Sequence, residues 1–352
     1  MPLNLLGKSA DELHALAASW GEPTYRGNQI YHALYAERRF DVAQMTNLPA
    51  KLRERLAAEA EIRMPKIVRR YHSSDGSVRY LLALEGDDVT PVQVEAVFMP
   101  DMREESRRQT ICISTQAGCA VDCHFCLTAM LGLKRNLTAG EIVGQVLVAL
   151  EDQREHLLPQ TNVVLMGQGE PLLNYDAVMA AVRLLLDQRA VGLAPRHVTL
   201  STSGIVPGIE RLAQEKVRPK LAISLNASND EQRDAIMPIN RKYPLVELLE
   251  ACRNYPLGPR EWITFEYVML GGFNDAPEDA KRVAKLLANI PSKVNLIPWN
   301  PGELPYKRPE PESVEAFRQV LFDKGVFAFV RYSRGQDVMA ACGQLALIES
   351  AK

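Results

Sequence analysis

From about residue 106 onward, short apolar runs alternate with amphipathic stretches at a spacing of about thirty residues, the rhythm of repeated strand–helix units. Strands are expected at Thr110 to Thr115, Asn162 to Met166, His197 to Thr202, Lys220 to Leu225, Trp262 to Met269 and Lys293 to Pro298. Helices are expected to start near Thr138, Tyr175, Pro207, Leu245, Ala276 and Ser313. Thr138 with Glu141 forms a capping-box pattern that sets one of these starts. Parallel strands joined by right-handed crossovers curl into a partial barrel, so the expectation is an α/β fold with a partial (β/α)6 barrel over 106–352. Functional loops then belong at the C-terminal ends of the strands.

The first hundred residues read differently. Ser9 and Glu12 make a second capping box, and Gly21 to Gly27 separates the helix it opens from two further amphipathic stretches. A small helical accessory domain is expected over 1–60, followed by a hairpin linker over 61–105. The hairpin strands are Ser77 to Leu84 and Val92 to Met99, turning near Gly86-Asp87-Asp88. Between Lys51 and Arg79 there are eight Lys and Arg against four Asp and Glu. Such a run is ordinarily a solvated face, but Arg69, Arg70 and their neighbours also suit RNA phosphates.

At 352 residues the chain can bury a large core and exceeds the usual single-core size. The N-terminal residues lack a signal-peptide pattern and no apolar run is long enough to span a bilayer, which argues against membrane and secretory classes. Six cysteines, three of them clustered, do not form a secreted disulfide framework. A reducing, cytoplasmic setting is expected. The net charge of −2 neither demands nor excludes a nucleic-acid partner.

The clustered cysteines are Cys119, Cys123 and Cys126, spaced C-x3-C-x2-C just after the first expected barrel strand. Closed zinc sites and ordinary iron–sulfur sites take four protein ligands. Here His124 lies inside the cluster, and the next cysteine, Cys252, is far downstream in a helical stretch where it reads as a small buried hydrophobe. Three thiolates in one loop suggest a cluster with one iron left open to substrate, with a zinc site as the competing reading.

Polar turns recur at the ends of the other strands. Gly169-Glu170-Pro171 ends the second, Ser201-Thr202-Ser203-Gly204 the third, Ser224-Leu225-Asn226 the fourth and Trp299-Asn300-Pro301 the sixth. Each on its own is an ordinary tight turn; together they suit the ammonium, carboxylate and ribose of one ligand. Two more cysteines stand out by position: Cys112 in the first strand and Cys342 before a glycine in a C-terminal loop.

The C-x3-C-x2-C loop is the mark of the radical S-adenosylmethionine (SAM) superfamily. The chain as a whole resembles the radical-SAM RNA methyltransferases that act on carbon 2 of adenine in 23S ribosomal RNA and in tRNA. The resemblance rests on Gln29-Ile-Tyr, Asn47-Leu-Pro, Val94-Glu95, the cysteine loop with Arg135-Asn136-Leu137, Gly-Glu-Pro at 169–171, Ser-Thr-Ser-Gly at 201–204, Asn295 through Pro301, and Arg334-Gly335 through Ala-Ala-Cys-Gly-Gln-Leu at 340–345.

It implies that Cys119, Cys123 and Cys126 hold a 4Fe-4S cluster, and that Gly169, Glu170, Ser201, Ser224, Leu225, Asn226 and Asn300 contact SAM. Cys342 would carry the methyl group, Cys112 would release the product by attack on sulfur, and Glu95 would take the carbon 2 proton. An external electron donor and a disulfide reductant are implied partners. The chain departs from the family pattern at Gln168, where methionine is usual, and at Asn226, where histidine is usual. An insertion around Met102 to Glu105 should only lengthen a loop. A carbon 8 methyltransferase, a radical-SAM activase and a zinc-stabilised RNA-binding module are the alternative readings.

Overall fold

In the computed structural model, which describes residues 2–86, 89–102 and 106–345, ten strands form one continuous sheet in strictly sequential order. The first three are β1 (Lys66–His72), β2 (Val78–Gly86) and β3 (Val89–Pro100). Seven more follow: β4 (Arg108–Cys112), β5 (Gln160–Leu165), β6 (Val198–Thr202), β7 (Lys220–Ser224), β8 (Ile263–Met269), β9 (Ser292–Pro298) and β10 (Phe327–Val330). Strands β4 to β10 are mutually parallel, and β1 to β4 pair antiparallel.

The six expected barrel strands are present, and a seventh, β10, closes the series. Its four residues alternate between exposed and half-buried at the sheet edge, too short and too open to stand out as a strand in sequence. The expected strands also ran past their ends at Ile113 and Leu225, because both are buried apolar residues that belong to loops.

Helices cross between successive strands: α4 (Ala139–Asp152), α5 (Tyr175–Leu186), α6 (Val206–Ala213), α7 (Asp230–Ile236), α8 (Leu245–Arg253), α9 (Pro277–Leu286) and α10 (Pro311–Asp323) follow the N-terminal α1 (Ala10–Ser19), α2 (Tyr25–Tyr35) and α3 (Ala50–Glu59). Ser9 and Glu12 cap α1, and Thr138 and Glu141 cap α4, reciprocally. The short, polar α7 had no apolar periodicity to reveal it.

Register divides the sheet into two faces. Ile111, Val163, Leu200, Ile223, Phe265 and Val294 point to the helices and are fully buried; each such side chain contributes about 1.5–3 kcal/mol of burial. On the other face, Val97 lies opposite Cys112, Cys112 opposite Val164, Ser224 opposite Glu266, and Glu266 opposite Asn295. This concave face is where the polar side chains collect.

The region expected to be a two-strand hairpin linker is a three-strand antiparallel extension of the barrel sheet, joined to it through β3 and β4. Arginine-rich β1 was hidden by its charge. The three N-terminal helices pack outside the barrel: Gly27 brings α2 so close to α1 that a Cβ would stand 2.6 Å from the His14 amide nitrogen. Arg38 donates to the Leu150 carbonyl at the end of α4 (3.1 Å), and Tyr31 to Asp187 just beyond α5 (3.1 Å). Residues 103–105, within the expected insertion, and Asp87 and Asp88, in the expected turn, lie outside the described residues.

Candidate active site

Three segments meet at the C-terminal mouth of the barrel: the cysteine loop after β4, the turns that end β5 to β9, and the stretch from Ser333 to Leu345. The cysteine loop is braced on several sides. Gly118 is left-handed (φ +79°), and a Cβ there would collide with the Gly132 carbonyl oxygen. The His124 amide donates to the Ile236 carbonyl (3.0 Å), and its Nδ1 meets the Ala235 carbonyl (2.9 Å), so that ring nitrogen is engaged by backbone. Trp299 Nε1 donates to the Phe125 carbonyl (3.3 Å), and the Leu127 amide to the Gly343 carbonyl (2.8 Å).

Cys119, Cys123 and Cys126 are half-buried free thiols. Burial pushes the Cys119 thiol up to about 12, and neighbouring Glu170 and Cys126 add to the rise. Burial likewise lifts Cys123 well above its usual value, reinforced by Cys126 and Cys119 and opposed by Arg233. Three thiols that feel one another in a low-dielectric loop become good ligands once cationic iron inverts that repulsion. Among the described residues, no three His, Cys, Asp or Glu side chains gather as ligands of a single metal ion. A four-iron cube takes one thiolate per iron, so this loop fits three irons and leaves the fourth for another ligand.

The SAM-binding candidates surround that loop. Gly169 is left-handed (φ +99°), and a Cβ there would lie 2.5 Å from Gln116 Cβ. Glu170 is buried; burial raises its pKa, and amide donors from Ser203 (2.6 Å) and Leu172 (3.0 Å) counter the rise. Ser201 and Ser224 are half-buried on strand ends of the concave face. Asn300 donates to Ser333 Oγ (2.8 Å) and to the Cys342 carbonyl (3.4 Å). Asn300 Oδ1, Gln168 Oε1 and Gln344 Oε1 are buried acceptors without hydrogen-bond partners. SAM brings the matching donors, an ammonium, ribose hydroxyls and an adenine amine, so the pocket fits it.

Two expected SAM contacts are also tied into the protein. The Leu225 side chain belongs to the core; its amide donates to the Glu266 carbonyl (3.0 Å) and its carbonyl accepts one bond from Arg233 Nε (3.1 Å), which leaves van der Waals contact and the carbonyl's second lone pair for a ligand. Asn226 is left-handed (φ +56°), a conformation asparagine tolerates, and its side chain is turned to protein: Oδ1 accepts from the Val268 amide (2.9 Å), and Nδ2 faces Met237 Sδ (3.3 Å). The other departure from the family pattern also has a local use. Gln168 Nε2 donates to the Leu345 carbonyl (3.4 Å), helping Thr128 Oγ1 (2.6 Å) hold the C-terminal segment at the mouth.

Cys112 and Cys342 are brought together. Cys112 is buried with Val97, Val338, Ala340 and Leu345, packed against Tyr71, Met99, Val164 and Met166. Burial raises its thiol, and Cys342, carried by the same segment as Ala340 and Leu345, raises it further. Cys342 is exposed to solvent, yet it opens from a recess crowded by Phe125, Leu127, Trp299 and Asn300. That crowding raises its thiol, Arg331 pulls it back, and Glu266 and Cys126 raise it. The sequence signal for Glu266 was one carboxylate in an otherwise apolar strand; Arg331 had none.

Glu95 lies on the same sheet face, two residues before Val97, and is completely buried. It accepts from Arg79, which stacks on the Tyr71 ring (4.0 Å), and its carbonyl accepts from Ser114 Oγ (2.7 Å). The basic run is largely spent within the protein: Arg70 binds Asp152 (2.6 Å), Arg55 binds Glu59 (2.8 Å), Lys66 binds Glu85 (2.6 Å), and Arg63 binds Glu61.

The barrel and its three-cysteine loop define a radical SAM enzyme. The Radical SAM superfamily model matches residues 113–287, and the ribosomal RNA large subunit methyltransferase N-terminal domain matches residues 3–62. A probable dual-specificity RNA methyltransferase RlmN of Koribacter versatilis is 49% identical over 339 residues, covering 92% of this chain and 96% of the relative. The dual-specificity RNA methyltransferase RlmN of Anaeromyxobacter dehalogenans is 48% identical over 344 residues, covering 96% and 90%. The crystal structure of a radical SAM methyltransferase from Sphaerobacter thermophilus superposes with a TM-score of 0.91 at 43% identity, covering 98% of this chain and 99% of that one. The chain belongs to the radical-SAM family of dual-specificity RNA methyltransferases, whose cofactors are a 4Fe-4S cluster and SAM.

Proposed function

We propose that this enzyme methylates carbon 2 of an adenine in 23S ribosomal RNA and in tRNA through an S-methylated Cys342. The observation that carries this reading is the packing of the segment that holds Cys342, through Val338, Ala340 and Leu345, against Cys112, and its hydrogen bond from the Leu127 amide to the Gly343 carbonyl (2.8 Å) at the cysteine loop. Carbon 2 of adenine is electron-poor and does not attack a sulfonium methyl, so the methyl needs a sulfur carrier and radical activation. Cys119, Cys123 and Cys126 would hold the cluster, which would supply the electron for cleavage of SAM to a 5′-deoxyadenosyl radical.

The Cys342 thiolate takes a methyl from one SAM, and its open recess presents the S-methyl group to a second. Gly169, Glu170, Ser201, Ser224, Leu225, Asn226 and Asn300 orient that SAM. The 5′-deoxyadenosyl radical would take a hydrogen atom from the S-methyl group, giving 5′-deoxyadenosine. The resulting methylene radical adds to carbon 2, and the adduct loses one electron, which the oxidised cluster would take back, while Glu95 accepts the carbon 2 proton. Cys112 then attacks the Cys342 sulfur, releases methyladenine and leaves a disulfide that an external reductant reopens. The adenine must leave its stack to reach this mouth, which single-stranded loops permit most easily. The dependence on a reductant and an electron donor fits a cytoplasmic enzyme. Among the described residues, no helix is long and apolar enough to cross a membrane.

Anaerobic turnover with methyl-trideuterated SAM on protein-free 23S RNA and tRNA, followed by mass spectrometry of the nucleosides, tests the proposal. Carbon 2 methyladenosine with two deuteriums from SAM is the expected product. Three deuteriums would refute the Cys342 relay, and carbon 8 methyladenosine would refute the regiochemistry.

A further inference from the structure

The least expected charge in the molecule is Arg233. It sits in α7 with none of its surface exposed, and no carboxylate pairs with it directly among the described residues. An unpaired buried guanidinium is costly unless its donors are satisfied and a compensating charge is near. Its donors are satisfied: Nε reaches the Leu225 carbonyl (3.1 Å), Nη2 the carbonyls of Ser203 (2.6 Å) and Ser224 (3.1 Å), and Nη1 Asn240 Oδ1 (2.9 Å). Asn240 in turn donates to Asp230 (2.9 Å) and Asp234 (2.8 Å), which holds those carboxylates one amide away. The helix that carries Arg233 is seated on the cysteine loop: the His124 amide donates to the Ile236 carbonyl (3.0 Å), and Cys123 packs against the cluster of Ile236, Met237, Leu270 and Trp299.

We infer that Arg233 is a positioning residue with two tasks: it fixes the turns that end β6 and β7, beside the SAM candidates Ser201 and Ser224, and it supplies a buried positive charge that would offset the thiolate-bound cluster. The forked guanidinium suits the first task, because its planar donors reach three carbonyls from two strand ends at once. A lysine retains the charge and cannot span them. Burial suits the second, because a fixed charge in low dielectric acts strongly on a neighbouring redox group. The inference rests on reading the cysteine loop as the cluster site, which iron and sulfide analysis of the wild-type protein tests separately. None of its readouts involves RNA.

The experiment compares reconstituted wild-type, Arg233→Lys and Arg233→Met holoenzymes in an EPR-monitored redox titration and in SAM binding by equilibrium dialysis. Without the charge, Arg233→Met should shift the reduced-to-oxidised ratio at fixed potential about tenfold toward oxidised, equivalent to a midpoint about 59 mV more negative. Arg233→Lys should keep the midpoint within about threefold in that ratio and weaken SAM binding about tenfold. Unchanged potential in the Met variant would overturn the electrostatic task, and unchanged SAM affinity in the Lys variant would overturn the bracing task. If either variant fails to fold, wild-type protein labelled with 15N-arginine decides. The Arg233 Nε–H signal should be present in the apo-protein and broadened away by the paramagnetic cluster, and a sharp signal in the loaded protein would refute the proximity.

Discussion

The Arg79 guanidinium donates to the Glu95 carboxylate inside the sheet, and the two side chains are 1% and 0% exposed. The pair lies on the same face as Cys112, so the candidate base is held by a cation on the strand next to its own. Removing one member takes a buried charged partner from the other. Arg79→Met should cost about 3–5 kcal/mol in urea unfolding of the apo-protein. The double change Arg79→Met with Glu95→Leu should recover most of that loss. A single variant as stable as wild type would mean that the pair adds nothing to the stability of this sheet.

The meeting of Cys112 with Cys342 gives a sharper chemical test. Cys112→Ala should leave the protein covalently attached to RNA through Cys342 after one turnover, visible as a shifted band on a denaturing gel. Cys112→Ala with Cys342→Ala should abolish the band. Free protein alone, with SAM being cleaved, would remove both cysteines from the proposed sequence.

Crowding raises the Cys342 thiol above its ordinary value while Arg331 lowers it. A raised pKa means a smaller thiolate fraction at a given pH, and the thiolate is the nucleophile. Formation of S-methyl-Cys342 should therefore rise about tenfold per pH unit through the ordinary thiol range, without reaching a plateau near pH 9. Arg331→Met should slow it at pH 8 and Glu266→Gln should accelerate it, as measured by single-turnover mass spectrometry of the peptide. Effects of the opposite sign would contradict the assigned environment.

Gly169→Ala combines a positive φ with a Cβ placed 2.5 Å from Gln116 Cβ and 2.7 Å from the Gln116 amide nitrogen. The strain should cost about 1–3 kcal/mol and displace the turn that carries Glu170. SAM affinity should fall more than tenfold in equilibrium dialysis while the cluster still loads. Undiminished SAM binding would show that this turn does not cradle the ligand.

For RNA affinity, Arg70 is already neutralised by Asp152, whereas Lys51 is exposed and has no partner among the described residues. Lys51→Ala should lower the slope of log affinity against log salt by about one, and Arg70→Ala should leave it unchanged. The reverse pattern would place the phosphate contacts on β1 instead of α3.

Much of the architecture was legible because period and capping act locally. The apolar alternation located the barrel strands to within a few residues, and Ser9 with Glu12 and Thr138 with Glu141 set their helix starts. What escaped was β1, β10 and α7, whose charge or shortness hides the period that burial imposes on longer elements. The polar character of the strand-end turns was also visible, but which of their atoms remain free was not. Leu225 and Asn226 stand in that turn with several of their hydrogen-bonding groups already engaged by protein.

By itself the sequence determined which chemistry is carried: three closely spaced thiols, two further cysteines and a series of turn motifs, since residue identity and short spacing survive without a fold. Only the tertiary structure decided which groups share a dielectric and a field. Parallel pairing through six crossovers and the return of the C-terminal segment bring Cys342 to Cys112, and the β2–β3 register puts Arg79 beside Glu95. Long-range register is also what buries Arg233 against strand ends that neither α7 nor the turns specify alone. Charge, burial and proximity are properties of contacts between distant segments, and the chain acquires them only when the sheet closes around them.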